Sequence, residues 1–170
     1  MALIKDGIIA TNHWRHLNDE EPLTPHQAIS LSLSRWLSLD DNQRSAKGPW
    51  GVRLRPEDSL ETLKGTLGQI DLVVLDMHPF TDGRSFTQAR DLRIRFGYSG
   101  EIRARGDFLK DQIYFLHRLG VNAFEIDSDQ NLEDYRSALN EFTVTYQTAL
   151  QPEEALFRQR TRPSQPLENS

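Results

Sequence analysis

Apolar positions along this chain follow two different periods, and from residue 49 onward the two alternate. Residues 71–76, DLVVLD, form a near-continuous apolar run that suits a central strand buried on both faces of a parallel sheet. Residues 51–54, 101–105 and 123–126 are shorter strand patterns. Between them the apolar spacing becomes helical. Leu60, Leu63 and Leu67 form one stripe behind Asp58 and Glu61, which stand at capping-box spacing, and Gly68 ends it. Residues 84–96 form a second helix stopped by Gly97, and Asp107 caps a third that runs to Leu119 with Gly120 beyond it. A fourth covers residues 132–142. Ahead of this series, residues 3–9 read as a hairpin around Asp6-Gly7, residues 28–33 alternate like a half-buried strand, and residues 35–39 turn into a short helix. Repeated strand–helix alternation implies right-handed crossovers. The pattern predicts an α/β protein with an open, mainly parallel sheet of about four βα units and an N-terminal β-hairpin addition. Residues 1–150 form one domain, in which 1–48 are hairpin and covering segment and 49–150 the βα units; 151–170 read as a disordered tail.

Helical phase picks out two polar residues. At about 100° per residue, Phe86, Ala89, Leu92 and Phe96 share an arc that takes in Arg93 and leaves out Arg84 and Arg90. In the next helix, Phe108, Leu109, Phe115, Leu116 and Leu119 share an arc with Gln112 near its centre. A guanidinium or carboxamide on such a stripe must find partners, as a backbone-bonded scaffold group or as part of a site. On the strands, Arg53 and Arg55, Arg103 and Arg105, and Glu125 alternate with apolar neighbours, so one sheet face carries charge. A parallel sheet seldom leaves a face bare, and this one is expected to be covered.

Charge sharpens the picture. The chain carries −5 overall. Yet residues 84–110 hold six Arg and one Lys against Asp91, Glu101 and Asp107. In open α/β sheets ligands bind beyond the carboxyl ends of the strands, and the loops there bring Asp76, His78, Asp82, Arg84, Arg105, Asp107, Asp127 and Asp129 to one edge. The candidate ligand-binding residues are Asp82, Arg84, Arg90, Arg93, Arg103, Asp107 and Gln112, with Asp76 and His78 as weaker candidates. Asp82 and Asp107 also read as plain turn and cap residues. Arginines around a cavity match the geometry of sulfite, sulfate or phosphate. No residue is assigned a catalytic role, and enzymatic activity is an open question.

Composition removes several classes. There is no cysteine, so thiolate catalysis and Cys-ligated metals are excluded. No apolar run is long enough for a membrane span, and the N-terminal residues do not read as a secretory signal, so a cytoplasmic protein is expected. The acidic balance argues against nucleic acid. His13 and His16 lack a third ligand at supporting spacing, and no metal is expected. No phosphate-binding glycine fingerprint or nucleophile elbow is present, and no cofactor is expected.

The runs Phe80-Thr81-Asp82-Gly83-Arg84, Ala89-Arg90-Asp91-Leu92-Arg93, Gly97-Tyr98, Gly100-Glu101-Ile102-Arg103-Ala104, Gly106-Asp107 and Asp111-Gln112 carry a resemblance. So do the start Leu3-Ile4-Lys5-Asp6-Gly7, Gly51-Val52-Arg53-Leu54 and Ala123-Phe124-Glu125. Over roughly residues 1–147 the chain resembles a family of small uncharacterised bacterial proteins whose genes neighbour assimilatory sulfite reductase. Members of that family are described as a probable oxidoreductase or accessory protein of sulfite reduction. Where some relatives carry a cysteine before the glycine matching Gly120, this chain has Leu119, so no thiol mechanism carries over. The resemblance implies an accessory protein of assimilatory sulfite reduction that binds sulfite reductase or an associated reductase through the arginine-rich face. The alternative is a small enzyme or binding protein for an anionic metabolite, a sulfur oxyanion or a phosphate-bearing one, at the strand carboxyl edge. A third reading is a homodimer formed through Ile8, Ile9 and Trp14.

Overall fold

The computed structural model describes residues 2–23, 27–45, 48–78, 82–106, 109–126 and 132–140. Eight strands form one sheet: β1 (Ala2–Lys5), β2 (Ile8–Ala10), β3 (Arg15–His16), β4 (Ile29–Ser32), β5 (Trp50–Leu54), β6 (Leu72–Asp76), β7 (Glu101–Arg105) and β8 (Ala123–Ile126). The order across the sheet is β2-β1-β8-β7-β6-β5-β4-β3. β1 pairs antiparallel with both β2 and β8, and every pair from β8 to β3 is parallel. The helices are α1 (Leu33–Ser38), α2 (Asp41–Ser45), α3 (Arg84–Ile94), α4 (Lys110–Arg118) and α5 (Leu132–Asn140).

Two features correct the open, mainly parallel, four-unit expectation. The sheet is an eight-stranded mixed one, and it is curled into a half-barrel. The curl is measurable from a side-chain contact. His16 on β3 stands five strand spacings from Glu125 on β8, about 24 Å on a flat sheet. Its Nε2 nevertheless lies 2.9 Å from a Glu125 oxygen. Consecutive parallel neighbours explain the shape: same-handed crossovers place the helices on one face, and the twisted sheet bends away from them.

Alternation along the strands separates two faces. Val52, Leu54, Val73, Leu75, Ile102, Ala104, Phe124 and Ile126 join Trp36, Leu92 and Leu116 in the core beneath the helices. Ser30, Arg53, Asp76, Arg103, Arg105 and Glu125 occupy the alternate positions and line the concave face. β6 is buried along Leu72–Leu75, as its apolar run predicts. The hairpin forms around Asp6 and Gly7, both with positive φ (50° and 76°). From it the chain crosses the concave face as a strap and re-enters the sheet at β3. The strap packs closely: a Cβ on Gly51 would meet the Ser30 Cβ at 2.8 Å and the Trp14 ring at 3.1 Å.

Local differences have identifiable causes. The Leu60, Leu63 and Leu67 stripe is buried, but as two 3-10 turns, Leu60–Leu63 and Leu67–Gln69. Gly65 and Gly68 weaken a longer helix. Asp58 accepts from the Arg55 N–H in a loop, and the residue ahead of the first 3-10 turn is Ser59. The Asp40-Asp41-Asn42 cluster opens α2. There Asp40 accepts from the Gln43 N–H at 2.7 Å while the Gln43 side chain accepts from the Asp40 N–H at 3.0 Å. Residues 151–170, and residues 141 and 142 of the last predicted helix, lie outside the described residues.

Candidate functional site

The concave face divides into a closed centre and an open end. At the centre, Arg103 is 1% exposed and is held by the Glu101 carboxylate (2.5 Å), the Glu125 carboxylate (2.5 Å) and Asn12 Oδ1 (2.9 Å). Glu125 also accepts from Asn12 Nδ2 (3.0 Å) and from His16 Nε2 (2.9 Å). Lys5 closes the set on Glu101 at 2.7 Å. Asn12 belongs to the strap and His16 to β3, where the strap ends, so this network fastens the strap to the middle of the sheet. Burial alone would raise the Glu125 pKa, but the hydrogen bonds and charges of His16 and Arg103 outweigh it and hold the carboxyl at about 2.

His16 Nδ1 also meets Ser30 Oγ at 2.5 Å, which puts a serine, a histidine and a glutamate in line. The order of groups resembles a hydrolytic triad, but the ring nitrogens are exchanged, with Nδ1 on the hydroxyl and Nε2 on the carboxylate. Ser30 has 0% exposure, however, and Glu125 is shared with Arg103. No substrate reaches that hydroxyl in this conformation, and the line serves as a fastening.

The open end lies where the parallel strands finish. A cleft of about 440 Å³ is lined by Arg55, Pro56, Glu57, Asp76, His78, Arg105 and Gly106, from the exits of β5, β6 and β7. Strand register sets Asp76 opposite Arg105. The Arg105 side chain is 29% exposed and touches Glu125 at 3.5 Å. Among the described residues no other carboxylate comes within 4 Å of Arg105, and none comes within 4 Å of Arg55. Burial raises the Asp76 pKa, with Arg105, Arg53, His16 and Arg55 pulling it the other way. Burial likewise lowers that of Arg53, whose guanidinium donates to the Leu17 carbonyl at 2.7 Å.

α3 fixes the walls of this cleft. The buried Gln88 side-chain amide donates to the carbonyls of Arg55 (2.8 Å) and Asp58 (2.9 Å), and the Ser85 hydroxyl to that of Asp76 (3.1 Å). The helix therefore pins both strand exits. Sequence reasoning did not single out Gln88, although with Ser85, Ala89 and Leu92 it shares the i, i+3, i+4, i+7 face that α3 buries, where a carboxamide needs partners.

The predicted site residues are not brought together. Arg93 turns inward, as its helical phase requires, but at the opposite end of the strands. It donates to the carbonyls of Gly120 (3.0 and 2.9 Å), Tyr98 (2.6 Å) and Gly100 (2.8 Å), just ahead of β7 and β8. Its stem presses so closely on Gly120 (φ 101°) that a Cβ there would lie 2.4 Å from Arg93 Cγ. Gln112 caps α4, its side chain accepting from the Leu109 N–H at 2.8 Å. The buried side of α4 is Ile113 and Leu116, while Phe115, expected on the core arc, is 50% exposed and stacks on Phe86 at 5.6 Å. Asp82 and Arg84 grip each other at the start of α3 at 2.7 Å, and those bonds hold the Asp82 pKa below the carboxylate range. Arg90 is exposed, and Arg103 belongs to the closed centre. Asp107, Asp127 and Asp129 lie outside the described residues. Asp76 and His78, the weaker candidates, are the two that line the cleft.

A larger cleft of about 540 Å³ sits at the amino ends of the strands, near Lys64, Arg95, Phe96 and Tyr98. Its arginine is occupied, with Arg95 paired to Asp91 (2.8 Å) and Glu61 (2.7 Å). The carboxyl-end cleft brings Arg55, Asp76 and Arg105 together, with one 3.5 Å ion pair between these three and other side chains among the described residues, and follows the general placement of ligands in α/β sheets. No helix is long and apolar enough to cross a membrane among the described residues.

The architecture is that of an α/β half-barrel with a polar mouth. Residues 51–157 match the family model described as a bacterial protein of unknown function (DUF934), and the chain belongs to that family. The match begins within β5, so it contains every residue lining the carboxyl-end cleft, while Asn12 of the strap, His16 of β3 and Ser30 of β4 lie ahead of it. No curated protein matches the chain.

Proposed function

We propose that this protein binds a small oxyanion, a sulfur oxyanion or a phosphate-bearing metabolite, in the cleft at the ends of β5, β6 and β7. Arg55 and Arg105 are the anion ligands. The observation that carries this reading is partner accounting. Among the described residues, the other arginines of the strands and of the inward face of α3 are engaged by carboxylates or carbonyls, while these two face a cleft with a single 3.5 Å carboxylate contact between them. Guanidinium groups left in that state bind oxyanions in forked geometry. The family resemblance supports a setting in assimilatory sulfite reduction, with the oxyanion as substrate or effector of an accessory role.

Docking on a reductase through the arginine-rich helix is the second reading. Arg84 and Arg95 are neutralised by Asp82, Asp91 and Glu61, which leaves Arg90 as the exposed cation of α3 for that role. Half-exposed Leu109 and Phe115 on α4 would supply its apolar part.

The test is calorimetry and thermal unfolding with sulfite, phosphate and sulfate. Saturation at a hundred times Kd stabilises by about 2.7 kcal/mol, a rise in Tm of roughly 5–10 °C for a chain of this size. Arg55→Ala with Arg105→Ala abolishes it. Absence of heat and of any Tm shift with all three anions at millimolar concentration sinks the reading.

A further inference from the structure

The cleft holds a feature that a general anion site does not need. Asp76 places a carboxylate between the two guanidinium groups proposed above to take the anion. Among the described residues no hydrogen-bond donor lies within bonding distance of that carboxylate, although its backbone carbonyl is bonded to Ser85. The groups facing it are Arg105 on β7, Arg53 and Arg55 at β5 and its exit, and His16 on β3, with Glu57 and His78 on the rim. The nearby Glu125 on β8 is already shared by Arg103, His16 and Asn12. In the open cleft solvent reaches this half-buried acceptor, and a ligand that displaces that solvent must bring a donor of its own or leave the carboxylate unsatisfied.

We propose that the cleft selects an oxyanion that carries its own proton, with Asp76 accepting the hydrogen bond from that proton between Arg55 and Arg105. This rests on the anion-site reading and narrows its substrate class. Hydrogenphosphate, a phosphomonoester bearing one proton and hydrogensulfite offer an O–H at neutral pH, and sulfate offers none. Facing sulfate, the Asp76 carboxylate opposes a like charge with no proton between them. Repulsion of this kind is how a site rejects a near-isosteric anion. Burial raises the pKa of Asp76, so its acceptor character is lost at a higher pH than for a solvated aspartate.

The experiment is titration calorimetry of the full chain with inorganic phosphate and with sulfate at pH 7.5 and again at acidic pH, for wild type and Asp76→Asn. Wild type is expected to bind phosphate about tenfold more tightly than sulfate. Asp76→Asn, whose amide also donates, is expected to bring the two within about threefold by strengthening sulfate. In wild type alone the preference falls as the pH drops through the raised Asp76 pKa, because a protonated carboxyl donates to sulfate. That measurement decides the matter even if the variant does not fold. Equal affinity for the two anions in wild type at pH 7.5 overturns the selection while leaving the anion site standing. An undiminished preference in Asp76→Asn overturns the role of Asp76. Failure of both anions to bind removes the site itself, and the inference with it.

Discussion

Arg103 and Arg105 stand two residues apart on one strand, point to the same face, and have different fates. Arg103 is enclosed, with Glu101, Glu125 and Asn12 taking its donors. Among the described residues Arg105 meets one carboxylate, at 3.5 Å, and has an open cleft in front of it. A short step toward the strand carboxyl end thus turns a structural cation into a binding one. What separates them is the strap: it crosses the centre of the concave face and stops short of the mouth. Arginine density is therefore a poor guide to a site, and the accounting of partners is a better one.

The largest effect expected from breaking this contrast is at the centre. Arg103→Met leaves Glu101 and Glu125 buried beside each other without their shared cation, at a cost of about 3–5 kcal/mol in urea denaturation. Arg105→Met should cost less than about 1 kcal/mol and remove anion binding. Equal losses of stability would abolish the distinction between centre and mouth.

Acid tests the same centre by another route. The folded pKa of Glu125 is depressed to about 2 from its ordinary 4.5, so its contribution is present above the unfolded value and is lost as pH falls from about 4.5 toward 2. The lost stability is on the order of 3 kcal/mol. Denaturation at pH 6 and pH 3 captures about 2 kcal/mol of it, and Glu125→Gln should flatten that slope while lowering stability at pH 6.

Arg93→Ala sharpens the comparison from the far end of the strands. It orphans the carbonyls of Tyr98, Gly100 and Gly120, at roughly 2–3 kcal/mol, and should leave phosphate affinity unchanged. A loss of anion binding with stability intact would move the site to that end.

The smallest expected effect is at Asp76. Its folded pKa is raised, so its stabilising contribution is complete below the unfolded pKa and is lost as pH rises through the folded one. Asp76→Asn should give a small rise in Tm at neutral pH that disappears in acid. A clear fall in Tm would mean that the carboxylate is a structural group.

Several elements were legible because their signals are local. The apolar run of β6, the Asp6-Gly7 turn, and the glycines that end α3 and α4 depend on neighbours within a few residues. The inward phase of Arg93 was legible too. Asp40 and Gln43 form the reciprocal cap of α2, a pattern present in the chain just beyond the short helix read at residues 35–39. β3 was not legible. Two residues carry no period, and Arg15–His16 is a strand only because it pairs with β4. The buried side of α4 was misassigned for a similar reason: the elements packed against it choose Ile113 over Phe115, and periodicity alone does not.

By itself, then, the sequence determined the strands other than β3, most of the helices and the presence of a charged sheet face, since backbone sterics and apolar period act over short stretches. Tertiary structure decided which charges are used up. His16 and Glu125 are 109 positions apart and meet only because the sheet curls and the strap returns across it. Whether an arginine is scaffold or ligand depends on such long-range partners, because the cost of an unpaired buried charge is settled by what the completed fold places beside it. At the mouth of the half-barrel the fold leaves Arg55, Arg105 and Asp76 facing open space.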